Sequence, residues 1–272
     1  LRKIIIIKAN GQKVPFDARK VESTCIRAGA SRDLAKKVAY QIYSRIHYGT
    51  TTKEIYHMVL QILVQEGSLA IKQRYRLKES IMRLGPAGFP FETYVGQILE
   101  HFGYKTKLTG AELAGRCVRH EIDLVVESLQ DGKKWLVECK YHNMPGRYTG
   151  LKDSLYTHAR FLDLADKLDE EMLVCNTKVS PDVITYAKCV GQKVLSWRYP
   201  PEKGLEKMIE AEKLYPITTL GPTRNELEIF SENRLMIAKD LLDLDVNEFS
   251  RKTRIPIKRI LGLQKLVNQI IS

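Results

Sequence analysis

Asp123, Glu138 and Lys140 are the residues whose types and spacing could act on a phosphodiester bond. Asp123 falls in an apolar run from Glu121 to Glu127, and Glu138 and Lys140 in another from Lys134 to Tyr141. Asp131-Gly132 between the runs signals a hairpin turn. Alternate strand residues share a face, so Glu138 and Lys140 project together. A hairpin symmetric about Asp131-Gly132 places Asp123 opposite Lys140 and Glu138 opposite Val125, all on that face. An odd-length loop would shift the parity and separate them. The intervening Leu124, Val125, Val126, Leu136 and Val137 predict a strand pair buried on both sides, where an acid must be paired or metal-bound. Two carboxylates with no Cys or His ligand make a hard oxygen site suited to Mg²⁺ or Mn²⁺. Such a metal polarises a phosphate oxygen and orients a water, which the Lys140 ammonium can position or help deprotonate. A buried Lys–Glu–Asp ion network is the alternative that these residues leave open.

The elements around the hairpin divide the chain into three regions, of overall α/β (α+β) class. Residues 1–86 open with Ile4 to Ile7, a turn at Asn10-Gly11, and Val14-Pro15-Phe16-Asp17, which together predict a β-hairpin. Asp17 N-caps a helix from Ala18, with Val21, Cys25 and Ala28 inward. Further helices are predicted from Arg32 to Ile46, from Thr51 or Thr52 onward, and from about Ser68 to Leu84. Gly85-Pro86-Ala87-Gly88-Phe89-Pro90 cannot continue a helix and reads as a linker. Residues 89–200 alternate: a helix from Phe91 to Phe102, the two strands, a long helix from about Lys152 to Leu168, a strand at Met172 to Cys175, a helix at Pro181 to Cys189, and a strand at Val194 to Trp197. One mixed sheet flanked by helices is the expected packing. Residues 201–272 read as short helices, with no internal repeat evident in the sequence.

The chain carries 44 Lys and Arg against 32 Asp and Glu, a net charge of +12 that favours polyanionic partners, nucleic acid first. Cys25, Cys117, Cys139, Cys175 and Cys189 are odd in number and form no C-x-x-C pair. That argues against a disulfide framework or a Cys-rich zinc site and points to a reducing cytoplasm. The longest apolar stretch, Ile4 to Ile7, is far too short to cross a bilayer. No secretory leader precedes it, and the opening Leu leaves room for an upstream segment.

Glu92, Asp123 and Glu138-Cys139-Lys140, in that order, resemble the PD-(D/E)XK nuclease superfamily, and within it the Mrr-like restriction endonucleases and archaeal Holliday-junction resolvases. Arg119-His120-Glu121-Ile122-Asp123, Val137-Glu138-Cys139-Lys140 and Asn176-Thr177-Lys178 carry the Mrr-like likeness, over about residues 89 to 198. It implies that Asp123 and Glu138 bind metal, that Lys140 assists the water and that Glu92 completes the metal shell. Glu92 also suits a helix's first turn for the dipole alone. His120, Arg160 and Lys178 are candidate nucleic-acid contacts; for His120 a plain polar contact, and for Arg160 a salt bridge to Asp163, are the alternatives. Residues 4 to 84 resemble the ATP-cone, the nucleotide-sensing module of ribonucleotide reductases and their repressor. The matching text is Ile7-Lys8-Ala9-Asn10-Gly11, Val14-Pro15-Phe16-Asp17, Lys20, and Thr52-Lys53-Glu54-Ile55. It implies ATP or dATP as an allosteric ligand, with Lys8 and Lys20 on the phosphates, Thr52 nearby, and Ala9 where that family usually has Arg. No Walker motif is present, so hydrolysis of ATP is not implied. Arg254 and Lys258 sit in a basic tail that resembles a helix-hairpin-helix DNA-binding unit, or is a solvated helical cap. The combined expectation is a Mg²⁺-dependent DNA endonuclease under ATP or dATP control, acting as a homo-oligomer. A nucleotide-sensing DNA-binding regulator and a junction-specific or RNA nuclease are the alternatives.

Overall fold

The computed structural model describes residues 4–66, 69–85, 89–144 and 146–271. Strands β1 (Ile5–Ile7) and β2 (Lys13–Pro15) form an antiparallel hairpin closed at Gly11, whose φ of 80° favours glycine. Helix α1 (Ala18–Arg27) is capped by Asp17, α2 (Arg32–Arg45) by Ser31, and α3 (Thr52–Gln65) by a Thr51–Glu54 capping box. Their inward stripes meet in one core built on Val21, Cys25, Val38, Ile42, Val59 and Ile62.

The single helix expected from Ser68 to Leu84 is two: α4 (Leu69–Tyr75) and α5 (Leu77–Met82), broken at Arg76. Ile71 and Tyr75 pack on the first core, whereas Leu77, Ile81 and Leu84 belong to a second. One straight helix could not turn its apolar face toward both. Of the expected linker, Pro86, Ala87 and Gly88 lie outside the described residues, as does Ser68. Helix α6 (Phe89–His101) already includes Pro90, which the first helical turn tolerates.

The second core is built on a five-stranded mixed sheet, order β3-β4-β5-β7-β9. It comprises β3 (Tyr104–Ala114), β4 (Arg119–Ser128), β5 (Lys134–Lys140), β7 (Glu170–Cys175) and β9 (Lys193–Leu195). The first three run antiparallel; β5, β7 and β9 are parallel. β6 (Tyr148–Thr149) and β8 (Lys178–Val179) pair separately. Helices α7 (Leu151–Asp163) and α8 (Pro181–Val190) cover one face, joining Ile122, Val125 and Leu136 through Leu164, and Leu173 through Val183. On the other face α6 buries Tyr94, Val95 and Ile98 against Leu124, Val126 and Val174.

The remaining residues extend that second core. Helices α9 (Leu205–Ala211), α10 (Arg224–Glu232) and α11 (Val246–Thr253) precede α12 (Ile257–Ile271), with 3-10 turns at Ile217–Leu220 and Ala238–Asp243. A repeat not evident in the sequence emerges here. Each of α9, α10 and α11 is followed by a basic residue at positive φ, Lys213 (53°), Arg234 (54°) and Arg254 (62°), and then by a buried Leu214, Leu235 or Ile255. The Leu214 and Leu235 amides return to the carbonyls of Ile209 and Phe230 at 2.9 and 2.8 Å. Tyr94 ties this region to α6, its fully buried hydroxyl donating to the Leu214 carbonyl at 2.7 Å. Tyr94→Phe leaves that carbonyl unsatisfied, and we expect a loss of about 1–3 kcal/mol in urea unfolding with an unchanged m value.

Candidate active site and nucleotide pocket

The β4–β5 register differs by two residues from a symmetric turn: Val125 pairs with Leu136, and the ladder ends at Leu124–Val137. A shift of two keeps the parity, so Asp123, Glu138 and Lys140 remain on one face, the face toward α7. Where the ladder stops, the Asp123 carboxylate accepts the Cys139 N–H at 2.7 Å and replaces the next strand-to-strand bond. On its other side β5 stays in register with β7, Glu138 beside Leu173 and Lys140 beside Cys175. The hairpin therefore parts beside its acids without losing its place in the sheet.

Glu92 approaches from α6. Burial raises its pKa to about 7, reinforced by the charges of Asp123, Glu138 and Glu121. Burial and Asp123 likewise push Glu138 up to about 7, although Arg160 and Lys140 pull against them. Asp123 is raised by burial, a tendency opposed by the Cys139 amide and Arg160. Glu92, Asp123 and Glu138 are thus all half-buried, and the charge of Asp123 acts on both of the others.

Helix α7 supplies the opposing charge. Buried Glu171 on β7 accepts from His158 at 2.5 Å and from Gln192 Nε2 at 2.8 Å, while Gln192 also donates to the Ser154 carbonyl at 3.1 Å. With α7 fixed by these bonds, Arg160 lies on Glu138 as an ion pair with both side chains largely buried. One turn back on the same stripe, Tyr156 lies under the Arg160 guanidinium at 4.9 Å. Asp153, another turn earlier, sits 3.2 Å from the Lys140 ammonium. Asp153 was missed from sequence; its i, i+3, i+7 relation to Tyr156 and Arg160 was the available signal. Arg160 does not pair with Asp163. That acid instead takes His120 at 2.8 Å and the Cys117 and Val118 amides, and the Cys117 thiol, His120 and these amides hold its pKa down. His120 is thereby a polar contact that binds the β3–β4 connection to α7. A groove of about 520 Å³ runs between them, lined by Arg116, Arg119, His120, Tyr156 and Arg160. Among the described residues, no three His, Cys, Asp or Glu side chains are gathered as a ready ligand set for a metal ion.

The other candidates lie apart. Lys8, Lys20 and Thr52 line a cavity of about 200 Å³ together with Phe16 and Tyr75, the last of which the sequence did not flag. Lys8 donates to Gln12 at 2.9 Å, and Asn10 accepts the Gln12 amide. Ala9, Asn10 and Gly11 are exposed in the turn. Lys178 stands over the Tyr148 ring at 6.0 Å, and Arg254 and Lys258 are exposed at the end of α11 and the start of α12. No helix among the described residues is long and apolar enough to cross a membrane.

Residues 4–80 match the ATP cone domain. A protein of Archaeoglobus fulgidus recorded as uncharacterized is 40% identical over 149 residues, which span 54% of this chain and 83% of that protein. The chain belongs to the family of that archaeal protein, and it carries an N-terminal ATP-cone domain. A crystal structure of a protein of unknown function, AF1548, is 35% identical with a TM-score of 0.60, covering 66% of this chain and 96% of its own.

Both Glu92 and Glu138 hold a proton more firmly folded than unfolded. The stability this contributes is complete below about pH 4.3, the unfolded Glu range, and is lost as the pH rises through about 7. Glu92→Gln should therefore raise the melting temperature at pH 8 by a few degrees and leave it nearly unchanged at pH 4. Thermal melts at the two pH values check this; a lower melting point at pH 8 would show that Glu92 is not held against its charge.

Proposed function

We propose that the chain is a Mg²⁺-dependent DNA endonuclease of the PD-(D/E)XK type, with ATP or dATP bound in the cone setting its activity. The observation that carries this reading is the placement of Asp123, Glu138 and Lys140 on one face where the β4–β5 ladder ends, with the charges of Asp123 and Glu138 acting on the half-buried Glu92 of α6. Burial, reinforced by neighbouring carboxylates, raises two of the acids to about 7, and an all-oxygen donor set of this kind fits Mg²⁺ or Mn²⁺. Asp123 and Glu138 would hold the ion with Glu92 completing its shell, and the ion would supply charge to a phosphate oxygen. Lys140 faces the same space and can orient a water or hold its proton at Nζ. The groove beside it is lined by Arg116, Arg119 and Arg160, suited to the strand's phosphates. Lys178 and the basic α11–α12 turn with Arg254 and Lys258 would extend contact with DNA, and a homo-oligomer would present two cutting sites to two strands.

As it stands the site is restrained. Arg160 occupies Glu138 and Asp153 engages Lys140, so α7 must yield before the acids can converge on an ion. The cone reaches the same connection: a methyl group placed on Gly146, between β5 and α7, would meet Asn10 at 3.7 Å and Ala9 at 3.8 Å. A nucleotide seated on Lys8, Lys20 and Thr52 would thus act next to the loop that leads into α7. The same restraint favours a second reading, a nucleotide-sensing DNA-binding regulator whose acids serve only an ion network.

Cleavage assays separate the two. Supercoiled plasmid, linear duplex, four-way junction, single strands and RNA are incubated with Mg²⁺ or Mn²⁺, with and without ATP or dATP. The nuclease reading expects DNA to be cut and Glu138→Ala or Lys140→Ala to lower the rate about 100-fold or more. No cleavage of any substrate, or variants as active as the parent, would leave the regulator; cleavage of junctions or RNA alone would narrow the substrate. In calorimetry, ATP or dATP should bind the cone, and Lys8→Ala should weaken it about tenfold or more. Heat that is the same in the variant would remove Lys8 from the phosphate contacts.

A further inference from the structure

A second group of charges lies where the cone meets the sheet-bearing part of the chain. Arg27 of α1, Arg74 of α4, Lys78 of α5 and Arg198 after β9 converge on a cavity of about 180 Å³, with Glu206 and Glu210 of α9. The acids do not balance the bases. Glu206 is taken by Arg198 through bonds of 2.6 and 3.1 Å and stands 3.9 Å from Arg27. Glu210 forms no ion pair among the described residues, and burial together with Glu206 pushes it up to about 7, so it carries only part of a charge at neutral pH.

Arg74 and Lys78 are left over. The Arg74 Nε is buried with no hydrogen-bond partner. Its guanidinium lies so close to Gly29, which has φ +91°, that a methyl group there would meet Cζ at 3.2 Å. Lys78 lies 5.2 Å above the Trp197 ring with no carboxylate in ion-pair range among the described residues, and burial, with Arg198, lowers its pKa to about 8. Cations withdrawn from water without a counter-charge are costly, and structures keep them where an anion completes the pair. Liquid water takes about 30 Å³ per molecule, so the cavity accommodates a phosphate group with a little water.

We propose that this junction is an anion site for a phosphate group, held by Arg74 and Lys78, separate from the cavity around Lys8, Lys20 and Thr52. The two cavities share Tyr75, which stacks on Tyr56 at 5.8 Å. The occupant is a free phosphate or the phosphate end of a nucleotide. In either case it would bridge α4 and α5 and join the two cores by charge.

The test is calorimetry on the full chain at low ionic strength with inorganic phosphate, pyrophosphate and ATP, alongside Trp197 fluorescence in a Trp135→Phe background. The result expected is saturable phosphate binding that shifts Trp197 emission, weakens at least tenfold in Lys78→Met and in Arg74→Gln, and persists in Lys8→Ala. In the Lys8→Ala chain, ATP acting at lower concentration than phosphate identifies a nucleotide as the source, and phosphate acting alone identifies the free ion. The proposal falls if phosphate gives neither heat nor a Trp197 shift, if both pocket variants bind as the parent does, or if Lys8→Ala abolishes the binding. Should the pocket variants not fold, the Trp197 response in the chain with an intact pocket decides.

Discussion

A carboxylate placed inside a sheet next to another carboxylate requires positive charge nearby, and around Glu138 that requirement organises its neighbours. Asp123 stands on the adjoining strand and Glu92 comes from the helix before, and Lys140 of the same strand, engaged by Asp153, supplies only part of the compensation. The ion pair comes from α7 through Arg160, and Glu171, His158, Ser154 and Gln192 hold that helix in place. Glu138 and Glu171 are thus each answered by a side chain on α7. Networks of this kind tolerate rearrangement poorly when one member is removed, because the partner is left buried and uncompensated.

The parts of this arrangement that follow from strand parity were legible in the sequence. Asp123, Glu138 and Lys140 share a face because the loop length is even, and the two-residue difference in register did not disturb that. The Asp17 cap was legible because the bond it makes is local. What was not legible depends on distant partners. Strand β3 carries few consecutive apolar residues because it is a sheet edge, with Lys105 and Lys107 turned to water. The break at Arg76 reflects two cores that no single-helix periodicity can show. The threefold recurrence after α9, α10 and α11 hides because its mark is a backbone angle carried by Lys and Arg in place of the usual glycine. Asp153 acquires meaning only once α7 is known to face β5.

Helix α5 is the mechanical link in the molecule. Its Ser80 carbonyl accepts the Thr218 hydroxyl at 2.6 Å, and its Met82 carbonyl accepts the Tyr141 hydroxyl at the same distance. Tyr141 directly follows Lys140, so the end of β5 and the end of the cone's last helical segment are one hydrogen bond apart. A displacement of α4 by ligand has a short, bonded route to the strand that carries the acids, in addition to the turn against Gly146.

That placement of α5 bears on how such chains can be recombined. The match to the ATP cone ends at residue 80, within α5, yet Leu77, Ile81 and Leu84 are packed into the sheet-bearing core. A cone excised at that boundary would carry an apolar helix face with nothing to cover it, and the remainder would have a hole where Leu77 had been. The physical seam of the chain is Arg76, one turn earlier, where the backbone already leaves the helix and the two apolar faces diverge. Shuffling of cones between proteins is therefore constrained less by the nucleotide-binding elements than by whether the recipient can complete the helix that follows them.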